Sequence, residues 1–241
     1  MAPPELSVVV PVKDEAGNVA PLAREIGAAL AGERYEMIFV DDGSTDTTIG
    51  ELASLRPELP IRIVAHARNL GQSRAIRTGV RAARADTIVT LDGDGQNDPA
   101  DVPRLIAAFR AAANDPKCAM IAGERVKRRD TAAKRMASKL ANAIRRALLG
   151  DGAKDTGCGL KVFRRDAFLA LPYFDHMHRY LITLMLREGY EVRFMAVGHR
   201  PRGTGRSKYG NLDRALVGII DIVGVRWLQR RFRGPDTPKE L

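Results

Sequence analysis

Two aspartates one residue apart, Asp92 and Asp94, close off the apolar part of the stretch TIVTLDGDGQNDP (Thr87 to Pro99). Side chains two positions apart point the same way where strand geometry persists, so both carboxylates can face one ion. Hard oxygen donors of this kind suit Mg²⁺ or Mn²⁺, which commonly take one or two carboxylates plus substrate phosphates. Gly93 and Gly95 permit close approach and unusual dihedrals. An Asp-rich turn that merely caps a helix has the same composition, so the pair alone leaves both readings open.

Similar endings recur along the chain. In VDDGSTD, Asp41 and Asp42 end an apolar run, Gly43 turns, and Ser44 or Asp46 can cap the next helix. A carboxylate here can also accept hydrogen bonds from a ribose or a base edge. In PVKDE, Pro11 stiffens the exit from a strand and Glu15 could bond a nucleoside.

The elements that must carry these residues are four short apolar runs, 6–12, 35–40, 61–65 and 86–91. They are too short for helices and lack clean alternation, as expected of strands buried on both faces. Helix-period segments fall at roughly 18–31, 46–55 and 70–85. Strand alternating with helix predicts a right-handed, parallel α/β sheet. In such sheets ligands bind outside the carboxyl ends of the strands, and all four runs end there in polar or charged residues. The expectation is one site on one rim.

Further on, Asp98 and Pro99 open an expected helix over 98–113, and CAMIAG (118–123) reads as a fifth strand. A basic amphipathic helix follows over 131–149. At 100° per residue it places Met136, Leu140, Ile144 and Leu148 on one face and Arg135, Lys139 and Arg146 on the other.

Composition narrows the partners. The 241 residues carry 39 Lys+Arg against 29 Asp+Glu, a net charge of +10, which calls for an anionic partner. At 5% aromatics the chain lacks the stacking platforms of a single-strand nucleic-acid binder, and the acidic rim would repel a phosphate backbone, so no nucleic acid is expected. The cysteines Cys118 and Cys158 form neither a disulfide framework nor a CxxC pair, which points to a reducing, cytoplasmic setting. The opening MAPPEL lacks the features of a signal peptide, and no run of about 20 apolar residues spans a bilayer.

VVVPVKDEAGNV, FVDDGSTD, RNLGQSRAIRTGVRAARAD and TLDGDGQNDP together resemble, in order and spacing, the inverting nucleotide-sugar glycosyltransferases of family 2, with a GT-A fold. The details look most like the polyprenyl-phosphate branch, and the likeness covers about residues 5–210. The chain departs from that branch at Lys13, Asp14 and Gly95. The resemblance implies a metal, Mg²⁺ or Mn²⁺, on Asp92, Asp94 and Gln96. It implies a nucleotide-sugar site made by Pro11, Lys13, Glu15, Val40, Asp42, Arg68, Asp92, Gly93, Asp94, Arg202 and Lys208. DTGCGLKVFRRDAF (155–168) matches the acceptor-side segment of the branch and puts Asp155 near the reacting groups. RPRGTGRSKY (200–209) matches its basic loop, carrying Arg202, Gly205, Ser207 and Lys208. Asp94, Asp155, Arg125 and Arg202 are the expected catalytic set, with Arg125 on the acceptor phosphate.

The implied reaction moves a sugar from a nucleoside diphosphate to a lipid phosphate. A phosphate acceptor is already anionic and needs cations more than a base. The alternatives are a family 2 enzyme with a soluble or saccharide acceptor, a sugar-1-phosphate nucleotidyltransferase, which would need a Gly-rich phosphate loop not seen near the N-terminus, and a non-catalytic nucleotide-binding protein. Residues 1–210 are expected to form the catalytic domain and 211–241 a basic, apolar helical segment. There Trp227 followed by Arg230, Arg231 and Arg233 suits an interfacial helix, and so a peripheral protein on the anionic cytoplasmic membrane face.

Overall fold

The computed structural model describes residues 2–126, 145–201 and 211–234, with the backbone alone over 211–217. Among these residues the strands β1 (Leu6–Val12), β2 (Tyr35–Asp41), β3 (Ile61–Ala65), β4 (Thr87–Thr90), β5 (Cys118–Arg125), β6 (Lys161–Arg164) and β7 (Glu191–Val197) build one sheet. Its order is β3-β2-β1-β4-β6-β5-β7. β1 pairs in parallel with β2 and β4, and β2 with β3. β6 is inserted antiparallel between β4 and β5, and β7 lies parallel on the outer edge of β5. The mostly parallel α/β sheet expected from the sequence is present; its antiparallel member β6 and the edge strand β7 carried no clear signal in the pattern.

Helices α1 (Val19–Ala29), α2 (Thr48–Ser54) and α3 (Gln72–Ala82) connect the first four strands. The segment expected as one helix over 98–113 divides into a 3₁₀ turn, Pro99–Asp101, and α4 (Val102–Ala111). Asp98 caps the turn by accepting from the Ala100 N–H at 3.0 Å. Pro103 has no N–H to donate, so it sits within the first turn of α4. The chain continues through α5 (Arg165–Ala170), a 3₁₀ turn Met177–Tyr180, α6 (Leu181–Arg187) and α7 (Asn211–Arg231).

Side chains alternate across β1, so Val8 and Val10 pack with Leu22, Ile26 and Leu105 while Val9 faces Ile76, Val80 and Phe163 on the other side. The second layer forces α3 close to the sheet. A Cβ on Gly79 would lie 2.4 Å from Cγ1 of Val9 and 3.0 Å from Cγ2 of Val40.

Positions 127–144 of the expected basic helix lie outside the described residues, and 145–149 are helical. The inward face here differs from expectation: Leu148 is exposed, whereas Leu149 and Arg145 are buried. Arg145 is held by Asp151 and by the Ala153 carbonyl at 2.6 Å, and Asp151 also accepts from Thr183 Oγ1 at 2.7 Å. A buried, paired guanidinium thus replaces a leucine in the expected stripe.

α7 has two faces. Val225 is buried, with Ile222 and Leu228 packed beside it on the α3 side of the sheet. Ile219, Ile220, Val223 and Trp227 are 61%, 71%, 64% and 57% exposed. No helix among the described residues is long and apolar enough to cross a membrane.

The close approach of α3 yields a stability prediction. Gly79→Val places branched carbon against the rigid Val9 side chain and should cost about 2 kcal/mol through overpacking. Chemical denaturation should show a lowered midpoint with an unchanged slope; an unchanged midpoint would mean that α3 can shift outward freely.

Candidate active site

The carboxyl ends of β1, β2 and β4 open into a cleft of about 560 Å³ whose lining includes Lys13, Glu15, Asp42, Asp92, Asp94 and Lys161. Thr90 ends β4 by donating its hydroxyl to the Gly159 carbonyl at 2.7 Å, which ties the strand to the 155–160 loop. Asp92 follows. Its backbone N–H donates to Asn97 Oδ1 at 2.9 Å, and its Oδ1 accepts from Gln72 Nε2 at 2.9 Å. Asp94 turns back on itself by accepting from the Gln96 N–H at 3.1 Å.

Space is scarce here. A Cβ on Gly159 would lie 2.3 Å from the Asp92 carboxylate, and one on Gly93 would lie 2.8 Å from the Pro11 carbonyl oxygen. Burial and the neighbouring Asp94 charge push the Asp92 carboxyl up to about 6, against the pull of Lys161 and Arg125. With the Asp94 charge beside it, a buried Asp92 ionises readily only where positive charge joins it. Oxygen donors on a glycine-flanked turn, short of positive charge, fit Mg²⁺ or Mn²⁺. Among the described residues no third His, Cys, Asp or Glu completes such a group. Water and substrate phosphates are then the natural remaining ligands. Gln96 lies in the same turn, and its carbonyl accepts from the Arg200 N–H at 3.0 Å.

At the β1–β2 end, Pro11, Lys13 and Glu15 line the cleft. Lys13 Nζ donates to the Gly43 carbonyl at 2.8 Å, and Glu15 accepts from Asn18 Nδ2 at 2.7 Å. Asp42 also lines the cleft, but much of its acceptor capacity shapes the following loop. It accepts from His66 Nδ1, Leu70 N–H and Gly71 N–H, each at 2.8 Å. Asp46 accepts from the Thr48 N–H at 3.0 Å, so it serves the cap of α2.

Two expected ligand residues are placed elsewhere. Val40, the penultimate residue of β2, is fully buried on the face of the sheet that α3 covers, where a Cβ on Gly79 would lie 3.0 Å from its Cγ2. Arg68 is exposed on the loop after β3 and is absent from the cleft lining; its backbone packs on Gly43, where a Cβ would lie 2.8 Å from the Arg68 carbonyl carbon.

On the β5–β6 side, Arg125 grips Asp155 with two bonds, Nε to Oδ2 at 2.6 Å and Nη2 to Oδ1 at 2.8 Å. The Gly157 N–H adds a third at 3.1 Å. Burial opposes the charge of Asp155, but the Arg125 guanidinium overcomes it and holds the carboxyl below its usual range. Asp155 is thus a poor proton acceptor and a firm anchor.

Arg202 and Lys208 lie outside the described residues. The chain leading to them is pinned to the carboxylate turn, since Gly198 N–H donates to Asp101 at 2.7 Å and Arg200 donates to Asp98 at 2.6 Å. Three cleft residues were missed in the sequence. Lys161 is 4% exposed, donates to the Cys158 carbonyl, and is pulled below the ordinary lysine range by burial. A lysine inside the apolar run GLKVF was the available signal. Gln72 and His178 carried none, because helix and turn residues of those types are ordinary.

The sequence description "Glycosyl transferase family 2" matches residues 7–171. The dodecaprenyl-phosphate galacturonate synthase of Rhizobium johnstonii is 34% identical over 233 residues, 94% of this chain and 68% of that protein. The undecaprenyl-phosphate 4-deoxy-4-formamido-L-arabinose transferase of Enterobacter sp. (strain 638) is 34% identical over 233 residues, 93% of this chain and 70% of that protein. Among solved structures, glucosyl-3-phosphoglycerate synthase from Mycobacterium tuberculosis with Mn²⁺, UDP and glucosyl-3-phosphoglycerate superposes with a TM-score of 0.70 at 18% identity, covering 99% of this chain and 83% of that one. The same synthase with Mg²⁺ and UDP gives a TM-score of 0.68 at 18% identity, with the same 99% and 83% coverage. These structures share the GT-A fold. With its nucleotide-sized cleft, paired carboxylates and matching sequence over most of its length, the chain belongs to glycosyl transferase family 2.

Proposed function

We propose that this glycosyltransferase moves a sugar from a nucleoside diphosphate to a polyprenyl phosphate, inverting the anomeric carbon, at the inner face of the cell membrane. The observation that carries the acceptor class is the Arg125–Asp155 pair. The carboxylate on the acceptor side is held ionised by a bidentate guanidinium, so it is poorly suited to take a proton from a hydroxyl. A phosphate acceptor needs no such base. The names of the two relatives, a dodecaprenyl-phosphate and an undecaprenyl-phosphate enzyme, support the same acceptor.

Lys13 and Glu15 then face the nucleoside, and Asp42 holds the loop that borders it. Asp92 and Asp94, with Gln96 beside them, would hold Mg²⁺ or Mn²⁺, which neutralises a departing diphosphate when bound. Arg125 keeps Asp155 in place and, with Arg202 and Lys208 from the basic loop, supplies positive charge for acceptor and leaving group.

Membrane attachment is proposed through the outward face of α7. Ile219, Ile220, Val223 and Trp227 form its apolar part, and Arg226, Arg230 and Arg231 lie on the same helix. Such a face suits the headgroup boundary of an anionic leaflet, at about 1 kcal/mol for each basic residue near the surface.

Two outcomes are expected at the acceptor end. Transfer of labelled sugar to undecaprenyl phosphate should far exceed transfer to 3-phosphoglycerate; the reverse preference would assign a soluble acceptor. Asp155→Asn should lower the rate while leaving the pH–rate profile between pH 6 and 8 without a new or missing limb, because a carboxyl held low is ionised throughout. Loss of a limb in the variant would make Asp155 the base.

The metal site is tested by Gly159→Ala and Asp92→Asn. Each should cost about 3 kcal/mol of transition-state stabilisation, roughly a hundredfold in rate, with near-normal thermal stability. Full activity in excess EDTA would remove the metal from the mechanism. For the membrane, co-sedimentation with anionic liposomes should exceed that with neutral ones and weaken with salt. Equal, negligible binding to both would leave α7 without a lipid role.

A further inference from the structure

Ser73 and His178 form a pair in the cleft that the transfer chemistry above leaves unused. Ser73, in the first turn of α3, is 1% exposed, and its Oγ lies 2.8 Å from His178 Nδ1. The same oxygen accepts the backbone N–H of His178 at 3.2 Å. Oγ has one proton to give, and among the described residues Nδ1 is its only acceptor within reach. The hydrogen-bond network therefore assigns the ring proton to Nε2. Among the described residues Nε2 has no partner, and His178 lines the cleft.

The ring is also kept neutral. Burial, aided by the charges of Arg179, Lys161 and His176, drives it down to about 3. The turn that presents it is tied down on both sides of the ring. His176 adopts a left-handed conformation at φ 64°, a strain of about 1–3 kcal/mol that persists only where surroundings impose it. The surroundings are on α7: His176 Nδ1 lies 3.2 Å from Asp221 Oδ2, and the Tyr180 hydroxyl donates to the Gly218 carbonyl at 3.3 Å.

Around His178 the cleft is lined by Ala75, Ile76 and Leu181, with Gln72 reaching across to Asp92. The neutral Nε2–H shares the cleft with this apolar wall and with the cations Lys161 and Arg179, which are the groups that answer phosphate charge and leave the imidazole to a different partner. The ring N–H suits an uncharged oxygen. We propose that His178 is a specificity-determining residue whose Nε2–H donates to a hydroxyl oxygen of the sugar being transferred, with Ser73 as the positioning residue that fixes its tautomer. This rests on the nucleotide-sugar donor proposed above.

The test uses the full chain and the variants His178→Leu, His178→Gln and Ser73→Ala. Calorimetry with Mn²⁺ measures affinity for UDP and GDP, which lack the sugar. Steady-state transfer to undecaprenyl phosphate measures kcat and KM for UDP-glucose, UDP-galacturonate and GDP-mannose. In His178→Leu, affinity for the preferred bare diphosphate should stay within about twofold, while kcat/KM for the preferred donor falls about tenfold and the ranking of donors flattens. His178→Gln, which keeps an amide N–H near the Nε2 position, should recover most of the loss, and Ser73→Ala should show part of it. An unchanged donor ranking in all three variants overturns the assignment. So does a parallel loss of diphosphate affinity and turnover, which would make the pair structural. If the wild-type chain turns over none of the donors, the donor reading itself falls and takes this proposal with it.

Discussion

The site is organised by the cost of placing two carboxylates side by side where a buried strand ends. Burial and the Asp94 charge make ionising Asp92 costly in that setting, and the surrounding charges answer in alternation. Lys161 and Arg125 pull Asp92 toward ionisation, and Arg125 is itself occupied by Asp155. The result is a floor of paired charges with one deficit of positive charge, at the point where the diphosphate of a nucleotide sugar would bring a cation. The close fit at Gly159 and Gly93 belongs to the same constraint, because a side chain at either position would displace the carboxylate turn.

Sheet topology decides which residues share that floor. β1, β2 and β4 are parallel, so their carboxyl ends meet on one rim. β6 enters antiparallel between β4 and β5, which brings its amino end, and the 155–160 loop before it, to the same rim. One reversed strand thus brings Asp155 and the buried Lys161 to the rim that carries Asp92 and Asp94. The chain after β7 returns to this rim as well, held through Gly198 and Arg200 to Asp101, Asp98 and Gln96. The basic loop therefore begins beside the carboxylates, wherever its own side chains reach.

α7 joins the cleft to the outer surface. Its inner face completes the core around Val225, and its bonds to His176 and Tyr180 support the turn that carries His178 and Arg179. Its outer face leaves large apolar side chains in water, an arrangement that a folded protein rarely keeps without a partner. The same helix thus links an exposed apolar face to the turn that lines the cleft.

Much of this was legible in the sequence because it is local. The apolar runs at 6–12, 35–40 and 86–91 are strands largely buried on both faces, the run at 61–65 is the partly exposed edge strand β3, and the polar clusters behind them lie at strand ends. The Asp92–Asp94 pair and the cap at Asp98 follow from residue type and spacing, whereas the Arg125 and Asp155 candidates came from the likeness to family 2. What the tertiary structure decided depends on contacts between distant segments. Short β6 and the edge strand β7 have weak patterns, since four residues or a half-exposed edge leave little periodicity. Val40 has the same parity as Asp42 but lies two residues further from the strand end, where α3 covers it. Arg145 replaces Leu148 as a buried residue because Asp151 and the Ala153 carbonyl, supplied by the following turn, repay the burial of its charge. Ser73 and His178 are 105 positions apart, and only the packing of α3 against the Met177–Tyr180 turn makes them a pair. A sequence states which groups are available; the distances that set their charge, tautomer and partner exist only once the chain is folded.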